Sequence, residues 1–164
     1  MQQNKIEKTI KDLRETFVSS GKMSLELRKK GLKTQIKSDN TPVSNGDLEV
    51  DERLCKKISE ITPDIPIISE ETVNLNEKII SKNFWLVDPI DGTNDYINNR
   101  DEFTLNAALI LNYQPAAGII YAPAKKRLFY SYGMGSAYEE SNNKILKLNC
   151  EKKNKVNQVI ALSN

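Results

Sequence analysis

The apolar run Phe84-Trp85-Leu86-Val87 leads directly into Asp88-Pro89-Ile90-Asp91-Gly92-Thr93, and no other stretch constrains the chain as tightly. The run predicts a buried strand. Pro89 keeps Asp88 out of the α region, so the strand is expected to stop at Asp88. Gly92 permits a tight turn and lets a ligand approach the backbone closely. Thr93 is placed to cap a short helix whose free N–H groups would hold a phosphate. The expected product is a strand with two carboxylates on a turn at its carboxyl end. Hard oxygen ligands beside an anion site are what Mg²⁺-assisted phosphate chemistry requires.

A second apolar run, Ile65-Pro66-Ile67-Ile68, ends in Ser69-Glu70-Glu71. Two strands thus deliver acids at their carboxyl ends, a common place for ligand sites in α/β-type sheets. If the strands are neighbours, Glu70, Asp88 and Asp91 converge on one or two cations. The competing view is that strand-end acids are solvated loop residues. It holds more force for Glu70 alone than for the hexapeptide, in which every position has a task.

Composition narrows the chemistry. With 164 residues, 38% hydrophobic and 28% charged, the chain suits one ordinary soluble domain with a real core. A net charge of +2 argues against a nucleic-acid binder. The absence of histidine removes the commonest general base, any His-ligated zinc and any Ser-His-Asp triad. Cys55 and Cys150 form no disulfide framework, and a reducing compartment is expected. Neither begins a Cys-x5-Arg phosphate loop, so Cys55 is taken as a helix-face residue. A metal-activated water remains as the route to hydrolysis. No apolar segment approaches a membrane span, and the expected location is the cytoplasm, with peripheral attachment at the inner membrane left open.

Ile6, Ile10, Leu13, Phe17, Ser20, Ser24 and Leu27 step by three and four, which predicts one amphipathic helix over 4–30 with Gly31 as its C-cap. Leu32 to Lys37 reads as extended, and Ser38 to Pro42 as a loop. Ser44 followed by Asp47 is an N-cap signature. Val50, Leu54, Ile58 and Ile61 then give a second helix that ends before Pro63. Thr72 to Asn83 is a loop or short helix. Strands are predicted over 104–111, 116–121, 127–132 and 136–140, with a turn at Asn112-Tyr113-Gln114-Pro115, which implies an antiparallel sheet. Tyr130, Tyr132 and Tyr138 are expected to pack on it. Residues 141–155 read as a basic linker or hairpin, and Val156 to Leu162 as a strand.

Asp88-Pro89-Ile90-Asp91-Gly92-Thr93, with Ser69-Glu70-Glu71 and the segment Lys37 to Asp47, resembles the inositol monophosphatase-like superfamily of Mg²⁺-dependent, lithium-sensitive phosphatases. Gly92 to Ile97, Asp101 to Asn106 and Gly118 to Pro123 look closest to its bacterial CysQ branch, the 3′(2′),5′-bisphosphate nucleotidases. The resemblance implies an α+β fold: two long helices on a mainly antiparallel sheet, the first half of a layered sugar-phosphatase fold. It also implies roles. Glu70, Asp88 and the carbonyl of Ile90 would hold a first Mg²⁺. Asp88 would bridge to a second, which Asp91 also binds. Asp47 and Thr93 would orient the attacking water. Glu70, Asp91, Gly92 and Thr93 would contact the substrate, with the Gly92 and Thr93 N–H groups on the phosphate.

The same resemblance implies a second domain carrying a Trp-Asp motif, whose Asp completes the second metal site. Here the only tryptophan is Trp85. The expected division is therefore a metal-binding phosphatase domain over 1–140, a basic linker over 141–155, and the truncated start of a second domain over 156–164. The implied activity is hydrolysis of adenosine 3′,5′-bisphosphate to AMP and phosphate. Alternatives are an inositol or sugar monophosphatase and a non-catalytic metal- or phosphate-binding remnant. A phosphoaspartyl hydrolase is a weaker rival, because its two acids lie one residue closer together. The expected partner is a small phosphorylated substrate, with no nucleic acid; a homodimer is left open.

Overall fold

The computed structural model describes residues 1–37, 40–72 and 81–149. Helix α1 spans Gln3–Lys30 and α2 spans Asn45–Ile61. Between them lie two short paired strands, β1 (Thr34–Ile36) and β2 (Pro42–Ser44). The helix boundaries follow the capping chemistry. Gly31, at φ +93°, ends α1. At the start of α2, Ser44 and Asp47 form a reciprocal capping box. Ser44 is buried, so its loss is not repaired by water. Ser44→Ala should lower stability by about 1–2 kcal/mol. An unchanged urea midpoint would show that the cap contributes nothing.

The main sheet contains β3 (Ile67–Ser69), β4 (Phe84–Asp91), β5 (Thr104–Leu111), β6 (Gln114–Ala122), β7 (Arg127–Ser131), β8 (Ala137–Ser141) and β9 (Lys144–Lys147). These follow one another across the sheet in chain order. Only β3 and β4 run parallel; every later pair is antiparallel. Asn112 and Tyr113, both at positive φ, make the β5–β6 hairpin turn. Pro115, expected in that turn, lies inside β6 at a register shift, where a missing N–H is tolerated.

Strand alternation divides the sheet into two faces. Trp85, Val87, Leu105, Ala107, Leu109, Ala117, Ile119 and Leu128 form one core with Ile10, Leu13 and Phe17 of α1 and Val50, Leu54 and Ile58 of α2. Trp85 is fully buried, and its indole N–H donates to Thr62 Oγ1 at 3.0 Å. Tyr138 stacks between Tyr130 and Tyr132 on the same sheet, the packing role expected. On the other face a groove of ≈ 790 Å³ crosses the strands; Leu86 and Ile120 there are 42% and 45% exposed.

Two expectations for the central motif need correction. β4 does not stop at Asp88 but continues to Asp91, with a register shift between them. The shift absorbs Pro89, which lacks a ladder donor. Thr93 is not the cap of the short helix α3 (Thr93–Ile97). Gly92 takes that position at φ +94°, which frees the Thr93 side chain for other contacts. In the described part of the basic stretch, β9 pairs with β8. Most of the Thr72–Asn83 segment and the expected strand Val156 to Leu162 lie outside the described residues. Among the described residues no helix is long and apolar enough to cross a membrane.

Candidate active site

The parallel β3–β4 pair brings two strand ends to one place. Ser69 sits opposite Val87, and the Glu70 N–H donates to the Val87 carbonyl at 3.0 Å. Glu70 therefore stands beside Asp88, close enough for its charge to act on the Asp88 carboxyl. In an unbroken strand, Asp88 and Asp91 would point to opposite faces, being an odd number apart. The register shift cancels that. Asp88 is the Cα partner of Asn106, and Asp91 accepts a 3.2 Å hydrogen bond from the same Asn106 side chain.

The fourth acid arrives from α2. Asp47 is fully buried. Its Oδ2 accepts from the Ser44 N–H at 2.8 Å and from the Ser44 hydroxyl at 2.5 Å. Its Oδ1 lies 3.0 Å from the Thr93 hydroxyl, which is also 3.0 Å from the Ile90 carbonyl oxygen. One carboxylate thus caps its own helix and faces Thr93. The Ile90 side chain belongs to the core, while its carbonyl keeps a second lone pair. Gly92 makes the turn between Asp91 and Thr93.

Glu70, Asp88, Asp91, Asp47, Gly92 and Thr93 therefore lie on adjoining segments. They do not close into a finished cage: among the described residues no three Asp, Glu, Cys or His side chains stand ready to hold a metal ion. Like charges would resist such closure in the absence of a cation. Asp88 shows the strain of this arrangement. Burial, followed by the charges of Glu70 and Asp91, pushes its carboxyl up to about 7. Its Oδ1 is buried without a hydrogen-bond partner. A buried, unpartnered carboxylate oxygen among further acids fits a divalent cation with hard oxygen ligands.

Three supporting residues were not anticipated. Lys37 lies 2.8 Å from Glu71 and 3.9 Å from Glu70. Burial still raises the Glu71 carboxyl, with Lys37 pulling it back. Asp51, one turn after Asp47, accepts hydrogen bonds from the Ser69 hydroxyl and from the Cys55 thiol, fastening β3 to α2. Burial and the Asp51 charge push that thiol up to about 12, so Cys55 is no nucleophile. Asn106 carried a sequence signal: it is polar between Leu105 and Ala107, which places it on the sheet face away from the helices.

A sheet covered by two helices, with acids at the β3 and β4 ends, describes the first half of a sugar-phosphatase-type fold. The chain matches the inositol monophosphatase family over residues 5–164 and belongs to it. It is 38% identical over 116 residues to the 3′(2′),5′-bisphosphate nucleotidase CysQ of Aggregatibacter actinomycetemcomitans, covering 70% of this chain and 43% of that relative. The solved CysQ of Bacteroides thetaiotaomicron, a bacterial member of the inositol monophosphatase family, superposes with a TM-score of 0.60 at 29% identity, over 82% of this chain and 48% of that one. An IMPase/NADP phosphatase complexed with Mg²⁺ and phosphate shares the fold, with a TM-score of 0.62 at 18% identity, over 72% of this chain and 46% of that one. The chain spans about half the length of the curated relatives it matches.

Proposed function

We propose that this chain carries the catalytic half-site of a Mg²⁺-dependent phosphomonoesterase whose favoured substrate is adenosine 3′,5′-bisphosphate. The observation that carries the reading is Asp88, half-buried beside Glu70 and Asp91, with one buried oxygen that has no hydrogen-bond partner. The likeness to two CysQ proteins favours the nucleotide over an inositol phosphate.

Glu70, Asp88, Asp91 and the Ile90 carbonyl are the groups that would hold the cations. Bound there, divalent ions supply Lewis acidity, lower the pKa of water and neutralise charge on the phosphoryl oxygens. Thr93 and Asp47 form the proton path. The Thr93 hydroxyl passes its proton to Asp47 Oδ1, to which it already points, and accepts one from the attacking water. Asp47 keeps its position because Ser44 grips its other oxygen. The Gly92 and Thr93 N–H groups bind the phosphate, and Glu70 and Asp91 complete the substrate contacts. The Trp-Asp acid expected of a second domain would complete the second metal site, and the division at 1–140, 141–155 and 156–164 belongs to this proposal. So do lithium sensitivity and a cytoplasmic location.

A phosphate-release assay with Mg²⁺ tests the reading. Release from adenosine 3′,5′-bisphosphate should exceed release from inositol 1-phosphate by at least about tenfold, roughly 1.4 kcal/mol of discrimination. The reverse preference would move the substrate to the sugar phosphates. Silence toward every ester from a folded chain would favour the binding remnant.

A further inference from the structure

Asn106 lies where the β4 register shift brings the two aspartates together. It is the Cα partner of Asp88 on β5, and its side chain reaches along the strand to Asp91. A carboxylate only accepts, so the amide nitrogen must face Asp91. That leaves the carbonyl oxygen Oδ1 turned away from Asp91. It is buried and has no hydrogen-bond partner. Asp88 Oδ1 is in the same condition, and both residues line the same groove with Glu70. Two buried acceptors in one place, with no donor between them, mark a missing donor or cation.

We propose that Asn106 is a positioning residue of the cation site: Nδ2 fixes Asp91 on the Asp88 side of the sheet, and Oδ1 accepts a hydrogen bond from the hydration shell of the bound cation. This rests on the cation reading above. A cation that keeps several waters, as Mg²⁺ does, needs such acceptors around its ligands. An amide suits the position better than a fifth carboxylate. It donates to one neighbour while accepting from another, and it adds no charge to an already crowded cluster.

Calorimetric titration of the 164-residue chain with Mg²⁺ tests the proposal without requiring turnover. Asn106→Ala should weaken binding by about 10- to 100-fold, the usual effect of losing a group that orients metal ligands. The thermal midpoint of the metal-free protein should change little. Asn106→Leu, nearer in volume, carries the same measurement if the alanine variant does not fold. A lowered midpoint with unchanged Mg²⁺ affinity would overturn the proposal and leave Asn106 a structural residue. Asp88→Asn separates this failure from that of the parent reading. If the wild type binds and Asp88→Asn does not, while Asn106→Ala binds like the wild type, only the Asn106 role is lost. If the wild type shows no saturable binding, the cation site and its positioning residue fall together.

Discussion

Asp88→Asn is expected to abolish saturable Mg²⁺ binding while leaving the fold intact, and to reduce any phosphate release by at least about a thousandfold. The magnitude follows from removing a ligand that supports several kcal/mol of charge stabilisation. Without metal, the same change should help the protein. The folded chain holds the Asp88 proton up to about pH 7, against an ordinary value of 3.8, through burial and the charges of Glu70 and Asp91. Between those values the folded state binds more protons than the unfolded state, so wild-type stability falls as pH rises through the window. Asparagine has no proton to lose, and its contribution stays flat there. Thermal melts in chelator, at several pH values, check the crossing: the variant should overtake the wild type toward neutral pH, and Mg²⁺ should restore the wild type alone. A variant that binds Mg²⁺ like the parent would remove Asp88 from the site.

Gly92→Ala should destabilise the chain by roughly 3 kcal/mol and weaken cation binding with it. Gly92 sits at φ +94°, and an added Cβ would lie 2.7 Å from the Glu102 carbonyl oxygen and 3.3 Å from Phe103 Cα. Both are backbone atoms, so no side-chain rotation relieves the overlap. Relief requires moving the turn that joins Asp91 to Thr93. A urea-unfolding loss of only about 1–2 kcal/mol, the cost of the left-handed backbone alone, would show that the contact with Glu102 yields freely.

Elements written in local chemistry were legible in the sequence. The capping box at Ser44 and Asp47, the apolar stripe of α1 and the span of β5 need only neighbours along the chain. The neighbouring positions of Glu70 and Asp88 were legible because each follows the apolar run of a strand, and β3 pairs with β4. What escaped was long-range. The continuation of β4 past Pro89 depends on a register shift against β5, which no local rule signals. The Thr93 hydroxyl turns to Asp47, 46 positions away. The clasp of Asp51 on Ser69 and the pairing of Lys37 with Glu71 likewise exist only once α2, β1 and β3 are folded together. Asn106 was visible as a polar interruption, but its task emerges only beside Asp91.

Among the described residues, the sheet's two border strands differ in how they would meet a foreign strand. One border, β3, is three residues long and offers little template for a foreign strand. The other, β9, exposes Ile145 and Leu146, and Lys144 and Lys147 flank them at either end. Two molecules meeting edge to edge would bring those ammonium groups together. Charge repulsion at that rim discourages the stacking that so apolar a ribbon would otherwise invite.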